Sequence, residues 1–145
     1  MEYLIGLLVA LGVAALAALS GMDRHRSFYP AVAIVVASYY VLFGAMSGST
    51  GAAALSLEGV AGVAFTVLAI YGFKRNMWLV AAAIAGHGVF DTVHHLLIEN
   101  PGVPVWWPGF CATVDIILGA WMAICLWRDS PRLPRAVLSK SVLNS

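Results

Sequence analysis

Five long apolar segments, separated by short polar or glycine-rich stretches, dominate the pattern of hydrophobic and polar positions along the chain. Each is close to the roughly 20 residues that an α-helix needs to cross a membrane. The pattern therefore predicts an all-α fold, an integral membrane bundle of five transmembrane helices in contact with the lipid bilayer. We place these helices near residues 2–20, 29–46, 55–73, 77–98 and 108–127.

Start and stop signals mark several of these segments. Asn76 precedes the fourth segment and suits a helix N-cap, as Ser27 does before the second. The sequence Asn-Pro-Gly at 100–102 ends the fourth segment, because proline and glycine interrupt helices. The connector from there to Pro108 is short, so we expect the fourth and fifth helices to pack as antiparallel neighbours.

The composition fits a chain whose main solvent is lipid. Hydrophobic residues make up 61% of the chain and charged residues only 10%, whereas soluble domains carry roughly a quarter charged residues. The sequence has no basic patch with interleaved aromatic residues, so we expect no nucleic-acid partner. Cys111 and Cys125 lie about 21 Å apart along one predicted helix, so they cannot form a disulfide within a monomer.

The positions of the basic residues predict an orientation. All eight lie in the loop at 21–27, in the turn at 74–76 or after residue 127. With five spans, these segments share one side of the membrane, and the positive-inside rule makes that side cytoplasmic. We therefore predict a single domain at 1–127 in a bacterial-type cytoplasmic (inner) membrane, with the N-terminus outside, the C-terminus cytoplasmic and a basic cytoplasmic tail at 128–145.

Ionisable side chains interrupt the fourth and fifth apolar segments. His87, Asp91, His94 and His95 follow the spacing i, i+4, i+7 and i+8, which places them near one face of the fourth helix. Asp115, on the fifth helix, lies at a similar depth. Such groups are costly inside a membrane and mark functional sites. Imidazole and carboxylate ligands suit Zn, Fe or Mn, and a thiolate would add Cu, so we predict that these five residues bind a transition metal.

Four other side chains are candidates for a supporting shell around this site: Glu58, Cys111, Tyr39 and Trp107. Each also has a simpler interpretation, which for Tyr39 is packing. Glu58 is predicted near the start of a helix, where a carboxylate is favoured. Cys111 is of the type that packs as a small buried hydrophobe, and Trp107 is of the type that anchors a helix at the membrane interface.

Two better-defined metal sites do not fit the sequence. A bis-histidine haem b needs ligands from opposing helices, but the only histidine outside the fourth helix is His25, at the opposite side, so we expect no haem b within a monomer. The sequence DTVHH at 91–95 resembles part of the HxxHH box of membrane fatty-acid desaturases and hydroxylases. The resemblance covers five residues, has Asp91 in place of the first histidine and lacks the other boxes, so their activity is not transferred to this chain.

Several functions remain compatible with the sequence. The polar stripe suits a small membrane enzyme or a metal-handling protein with a site near the outer face. The small size also suits a non-catalytic accessory subunit of a larger membrane complex, or a homo-oligomer. A relay through His87, Asp91 and Asp115 would suit a proton-coupled carrier of small solutes. A metal-free network of His–Asp hydrogen bonds would serve helix packing alone. Whether the protein is an enzyme stays open.

Overall fold

The chain forms an all-helical bundle in a computed structural model that describes residues 1–48 and 52–129, with side chains described from residue 55 onward in the second segment. Its five α-helices are α1 (Glu2–Ser20), α2 (Phe28–Met46), α3 (Ala52–Arg75), α4 (Met77–Leu97) and α5 (Trp107–Asp129). The prediction of an all-α fold with five helices is thus confirmed. The predicted basic tail covers residues 128–145. All of it except the first two residues lies outside the described part of the chain.

The helix ends agree in part with the signals in the sequence. The Asn76 side chain accepts a hydrogen bond of 3.0 Å from the backbone N–H of Trp78, so its predicted capping role is confirmed. Ser27 occupies the N-cap position of α2 but makes no side-chain capping bond, so that prediction is wrong. Gly21 ends α1 in the left-handed conformation, with φ of 75°, which glycine adopts without a steric penalty.

Four of the five helices are long and apolar enough to cross a membrane: α1, α2, α5 and residues Leu55–Arg75 of α3. The fourth helix, α4, does not reach this degree of hydrophobicity because it carries the stripe of ionisable side chains described above. Outward-facing positions of α1 are large and apolar, with Leu8, Leu16 and Leu19 exposed by 62%, 64% and 89%. This pattern, with large apolar residues outside and alanines buried inside, is typical of helices surrounded by lipid.

The helix with the ionisable stripe, α4, occupies the centre of the bundle, where it packs against α5, α3 and α2. Its most extensive contact is with α5, so the predicted pairing of these two helices is confirmed. The first helix, α1, packs against α5, whereas α2 packs mainly against α3. The polar face of α4 is therefore covered by neighbouring helices.

Two glycines allow the backbones of α4 and α5 to approach closely. A Cβ atom on Gly88 would lie 3.0 Å from the Ala112 carbonyl oxygen and 3.0 Å from Asp115 Cβ. A Cβ atom on Gly119 would lie 2.9 Å from both the Cβ and the backbone nitrogen of Ala85. Small residues of this kind let helices pack tightly where no water drives association. The close contact brings the polar side chains of the two helices within reach of one another.

Candidate metal centre

Three ionisable side chains meet at the interface of α4 and α5. His87 Nδ1 lies 2.8 Å from Asp115 Oδ2 and 3.6 Å from Asp91 Oδ2. His87 is 3% exposed, and both aspartates are fully buried. One ligand atom from each residue lies within 4.8 Å of the other two, so the group could hold a metal ion. We refer to these three residues as the His–Asp cluster.

The cluster follows directly from helix geometry. Asp91 is four residues after His87, so both side chains project from the same face of α4 one turn apart. Asp115 reaches them from α5, beside Gly88, where the two backbones are closest. Because all three residues lie on regular helices, the positions of their side chains are fixed by the packing of α4 on α5.

Three carboxylate oxygens of the cluster lack a hydrogen-bond partner. They are Asp91 Oδ1, Asp91 Oδ2 and Asp115 Oδ1, each inaccessible to solvent. The 3.6 Å separation between His87 and Asp91 brings opposite charges together but is too long for a hydrogen bond. A buried carboxylate without a donor is unfavourable by several kcal/mol in real proteins. The cluster thus has unused capacity to bind a cation.

Aromatic rings from α2, α3 and α4 surround His87. Phe65 contacts the His87 ring edge to face, with centroids 4.9 Å apart, and Phe90 lies 6.2 Å from the same ring. The Tyr40 ring is 6.1 Å away on the side of α2. These rings exclude water, and charges interact more strongly where the local dielectric constant is low.

A second polar group lies further along α4, about two turns after His87. His94 Nε2 is 2.8 Å from Glu58 Oε1 of α3. The Asn100 amide donates to both Glu58 oxygens, at 2.9 and 2.8 Å, and the Tyr40 ring stacks on His94 at 3.9 Å. Both Glu58 oxygens therefore have donors, unlike those of Asp91. This group, the Glu58–His94–Asn100 network, joins α3 and α4 to the connector that follows α4.

The Glu58–His94–Asn100 network shows that one interpretation of the sequence is wrong. It also contains one residue that the sequence did not identify as part of a site. Glu58 lies in the seventh position of α3 and is 2% exposed, so the view of it as a helix N-terminal carboxylate is wrong. Asn100 belongs to the stop signal in the sequence, and its side chain also donates hydrogen bonds to both Glu58 oxygens. One signal could have identified Asn100 as a site residue, because a buried glutamate needs a hydrogen-bond donor.

The remaining candidates are spread around these two groups. His95 is exposed, and it does not join the His–Asp cluster. Cys111 is buried one turn before Asp115 on the same face of α5, but its sulfur is not among the grouped ligand atoms. Trp107 contacts the Tyr39 ring edge to face at 5.3 Å. Tyr39 and Trp107 thus lie in the wall between α2 and α5.

Asn100→Ala tests whether the network is structural. We expect the substitution to lower the free energy of unfolding by about 1–3 kcal/mol, because the buried Glu58 carboxylate loses a donor to each of its oxygens. Thermal or denaturant unfolding in mild detergent measures the change. Thr92→Val is the control, since the exposed Thr92 hydroxyl bonds only the Val89 carbonyl one turn back. Equal stability of the two variants would contradict a structural role for the network.

Comparison of the chain with protein-family models, with curated proteins and with solved structures gives no significant match. The functional argument therefore depends on the geometry of the described residues.

Proposed function

We propose that this chain is a five-span protein of a bacterial-type cytoplasmic membrane, in which the His–Asp cluster binds a transition-metal ion near the outer face. The centre would serve a small membrane enzyme or a metal-handling protein. The observation that carries the proposal is the set of buried carboxylate oxygens without donors around His87. A network built only for packing has no need for two aspartates where one already pairs with the histidine.

The distribution of charge supports the proposed orientation. Arg26 Nε donates to the carbonyl oxygen of Phe73 at 3.0 Å, which ties the loop after α1 to the end of α3. Lys74 and Arg75 lie in the last turn of α3, next to that contact. The basic residues of two separate loops are thus neighbours at one end of the bundle, as the positive-inside rule requires for a cytoplasmic side. The Glu58–His94–Asn100 network lies toward the other end, which becomes the outer one.

The donor atoms favour particular metals. One imidazole and two carboxylates form a mixed nitrogen and oxygen set that suits Zn²⁺, Fe²⁺ or Mn²⁺. The absence of the Cys111 sulfur from the group argues against copper(I), which prefers soft sulfur ligands. His87 Nδ1 faces Asp115, and the metal would take the place of the proton between them, so binding would release a proton.

A cavity approaches the cluster from the end of the bundle that we propose to be outer. It has a volume of about 530 Å³ and lies between the end of α4, the connector to α5 and the start of α1, and its walls include Asp91, His94, His95 and Glu99. Acidic and imidazole groups along such a route attract cations. Three protein ligands also leave at least one coordination position open, as in catalytic rather than structural zinc sites. Exchange of the ion, or its contact with a substrate, is compatible with this arrangement.

Titration of the purified, chelator-treated protein with Co²⁺, followed by its visible absorption, tests the proposal. We expect one equivalent to bind, and His87→Ala to weaken binding by more than about 100-fold, beyond the 10–100-fold typical of lost supporting contacts. His25→Ala is the matched control, because it removes the same side chain from an exposed position outside both the cluster and the cavity that approaches it. Equal losses in both variants, or no binding by the unmodified protein, would rule out the His–Asp cluster as a metal centre.

A further inference from the structure

The Tyr40 hydroxyl on α2 shares one property with oxygens of the His–Asp cluster. It is a buried polar atom without a hydrogen-bond partner within the described part of the chain, as are Asp115 Oδ1 and both carboxylate oxygens of Asp91. Tyr40 is 3% exposed, so bulk water does not satisfy the hydroxyl either. Burying a hydroxyl without a partner is unfavourable, and a phenylalanine would pack without this cost. The hydroxyl is therefore available to a ligand inside the bundle.

Contacts with α4 fix the position of the Tyr40 ring. The ring stacks on that of His94, with centroids 3.9 Å apart and an interplanar angle of 12°. Phe90 contacts it edge to face at 6.3 Å, and the His87 ring lies 6.1 Å away. The Tyr40 ring thus lies beside both buried histidines of α4. Because packing holds the ring in this place, the hydroxyl is positioned before any ligand binds.

The Tyr40 hydroxyl lies near the carboxylate of Asp91. Among the ionisable side chains around Tyr40, Asp91 interacts with the hydroxyl most strongly, ahead of Cys111 and Glu58. The two groups nevertheless do not form a hydrogen bond of acceptable geometry, since the hydroxyl and both Asp91 oxygens are left without a partner. A cation bound between the phenol oxygen and the carboxylate would satisfy both groups at once.

Charge balance indicates which kind of cation suits this set of atoms. Asp91, Asp115 and a deprotonated Tyr40 carry three negative charges, and His87 is neutral when it binds a metal. Because an unbalanced charge is costly in a buried site, a trivalent ion matches the full set. A divalent ion is already balanced by the two carboxylates, so Tyr40 would keep its proton and stay off the ion. Phenolate and carboxylate oxygens are hard donors, which suit the hard Fe³⁺ ion.

We propose that Tyr40 is the fourth protein ligand of the His–Asp cluster and that the ion held by all four residues is iron(III). The proposal rests on the proposed function, which it deepens by naming the metal and a further ligand. As Fe³⁺ binds, a bond from iron to the phenol oxygen replaces the O–H bond of Tyr40, and the proton is released to the medium without any transfer of electrons. An octahedral ion with these ligands keeps further positions open.

Titration of the chelator-treated, full-length protein in mild detergent with Fe³⁺ nitrilotriacetate tests this proposal. A phenolate bound to iron(III) gives an intense charge-transfer band in the visible spectrum, which carboxylate and imidazole ligands do not give. We expect this band to reach its maximum at one equivalent, with phenolate vibrations in the resonance Raman spectrum.

Tyr40→Phe keeps the ring and removes only the hydroxyl. We expect this variant to lose the charge-transfer band and to bind Fe³⁺ more weakly by over about 100-fold, beyond the 10–100-fold typical of lost supporting contacts. Tyr39→Phe is the matched control, because it makes the same change at the next residue, whose ring contacts Trp107. The control should keep both the band and the affinity. A band that Tyr40→Phe retains would overturn the proposal.

Two further measurements separate this proposal from the metal proposal and from a structural role of Tyr40. Tyr40→Phe should bind Co²⁺ as the unmodified protein does, because a divalent ion leaves the phenol protonated. Binding of Co²⁺ by the unmodified protein without any charge-transfer band from Fe³⁺ would refute only the role of Tyr40 and iron(III), whereas failure to bind either ion would refute both proposals. The metal-free Tyr40→Phe protein should melt no lower than the unmodified protein. A lower melting temperature together with an absent band would identify the hydroxyl as a packing contact and overturn the proposal.

Discussion

Replacing Asp91 with asparagine is expected to abolish metal binding and, at the same time, to stabilise the metal-free protein. The metal-free carboxylate is fully buried and neither of its oxygens accepts a hydrogen bond. Asparagine keeps the shape of the side chain and removes its charge. We expect the free energy of unfolding to rise by about 1–3 kcal/mol, the typical cost of an unsatisfied buried polar group.

The two effects of Asp91→Asn are measured separately. Unfolding in detergent with a chelator present gives the stability of the metal-free protein, and Co²⁺ titration gives the affinity, which should fall by more than about 100-fold since an amide oxygen is a much weaker ligand. Asp115→Asn is the comparison, because it weakens the 2.8 Å contact with His87 and should lower stability as well as affinity. A destabilised Asp91→Asn protein would indicate that Asp91 serves packing and not an ion.

Enlarging Gly119 to leucine should separate α4 from α5 and dismantle the His–Asp cluster. A Cβ atom at this position already falls 2.9 Å from the backbone nitrogen of Ala85, so a longer side chain can fit only if the helices move apart. Asp115 is one turn away on α5 and would move with the helix. We expect loss of Co²⁺ binding together with a loss of stability of about 1–3 kcal/mol or more, the range found for overpacked cores.

Gly12→Leu is the matched control for this experiment. Gly12 lies in α1, and a Cβ atom there would meet nothing within 4 Å. The same change in size and helix propensity should therefore leave both the Co²⁺ affinity and the separation of α4 from α5 unchanged. Retained metal binding in Gly119→Leu would show that the cluster does not depend on the close approach of these helices.

The broad architecture was accessible from the sequence because its signals are local. Apolar length predicts each helix, and Asn76 marks the start of α4 by a capping bond that its own residue type implies. The short connector after α4 fixes α5 as its neighbour. Counting turns inward from that connector gives Asp91 and Asp115 similar depths, so their proximity to one another could be expected.

The division of the polar stripe into two groups could not be predicted in this way. His94 is seven residues after His87, about 10 Å further along the axis, where a different helix faces α4. Its partner Glu58 belongs to α3. The contact between α3 and α4 depends on how the side chains of these two helices pack, which spacing along α4 does not show. His95 is rotated by a further 100° or so and is exposed. Spacing along one helix shows which residues share a face, but it does not show which neighbouring helix packs against each turn.

The central position of α4, the helix with the ionisable stripe, has a consequence for how the protein is made. In the proposed membrane orientation, α4 leaves the ribosome before α5, the helix that supplies Asp115 and covers most of its polar face. Until α5 follows, His87 and Asp91 would face lipid, where a buried charge costs a few kcal/mol even by insertion scales. Stable integration of α4 would therefore require α5, and the two helices would enter the bilayer together as a hairpin.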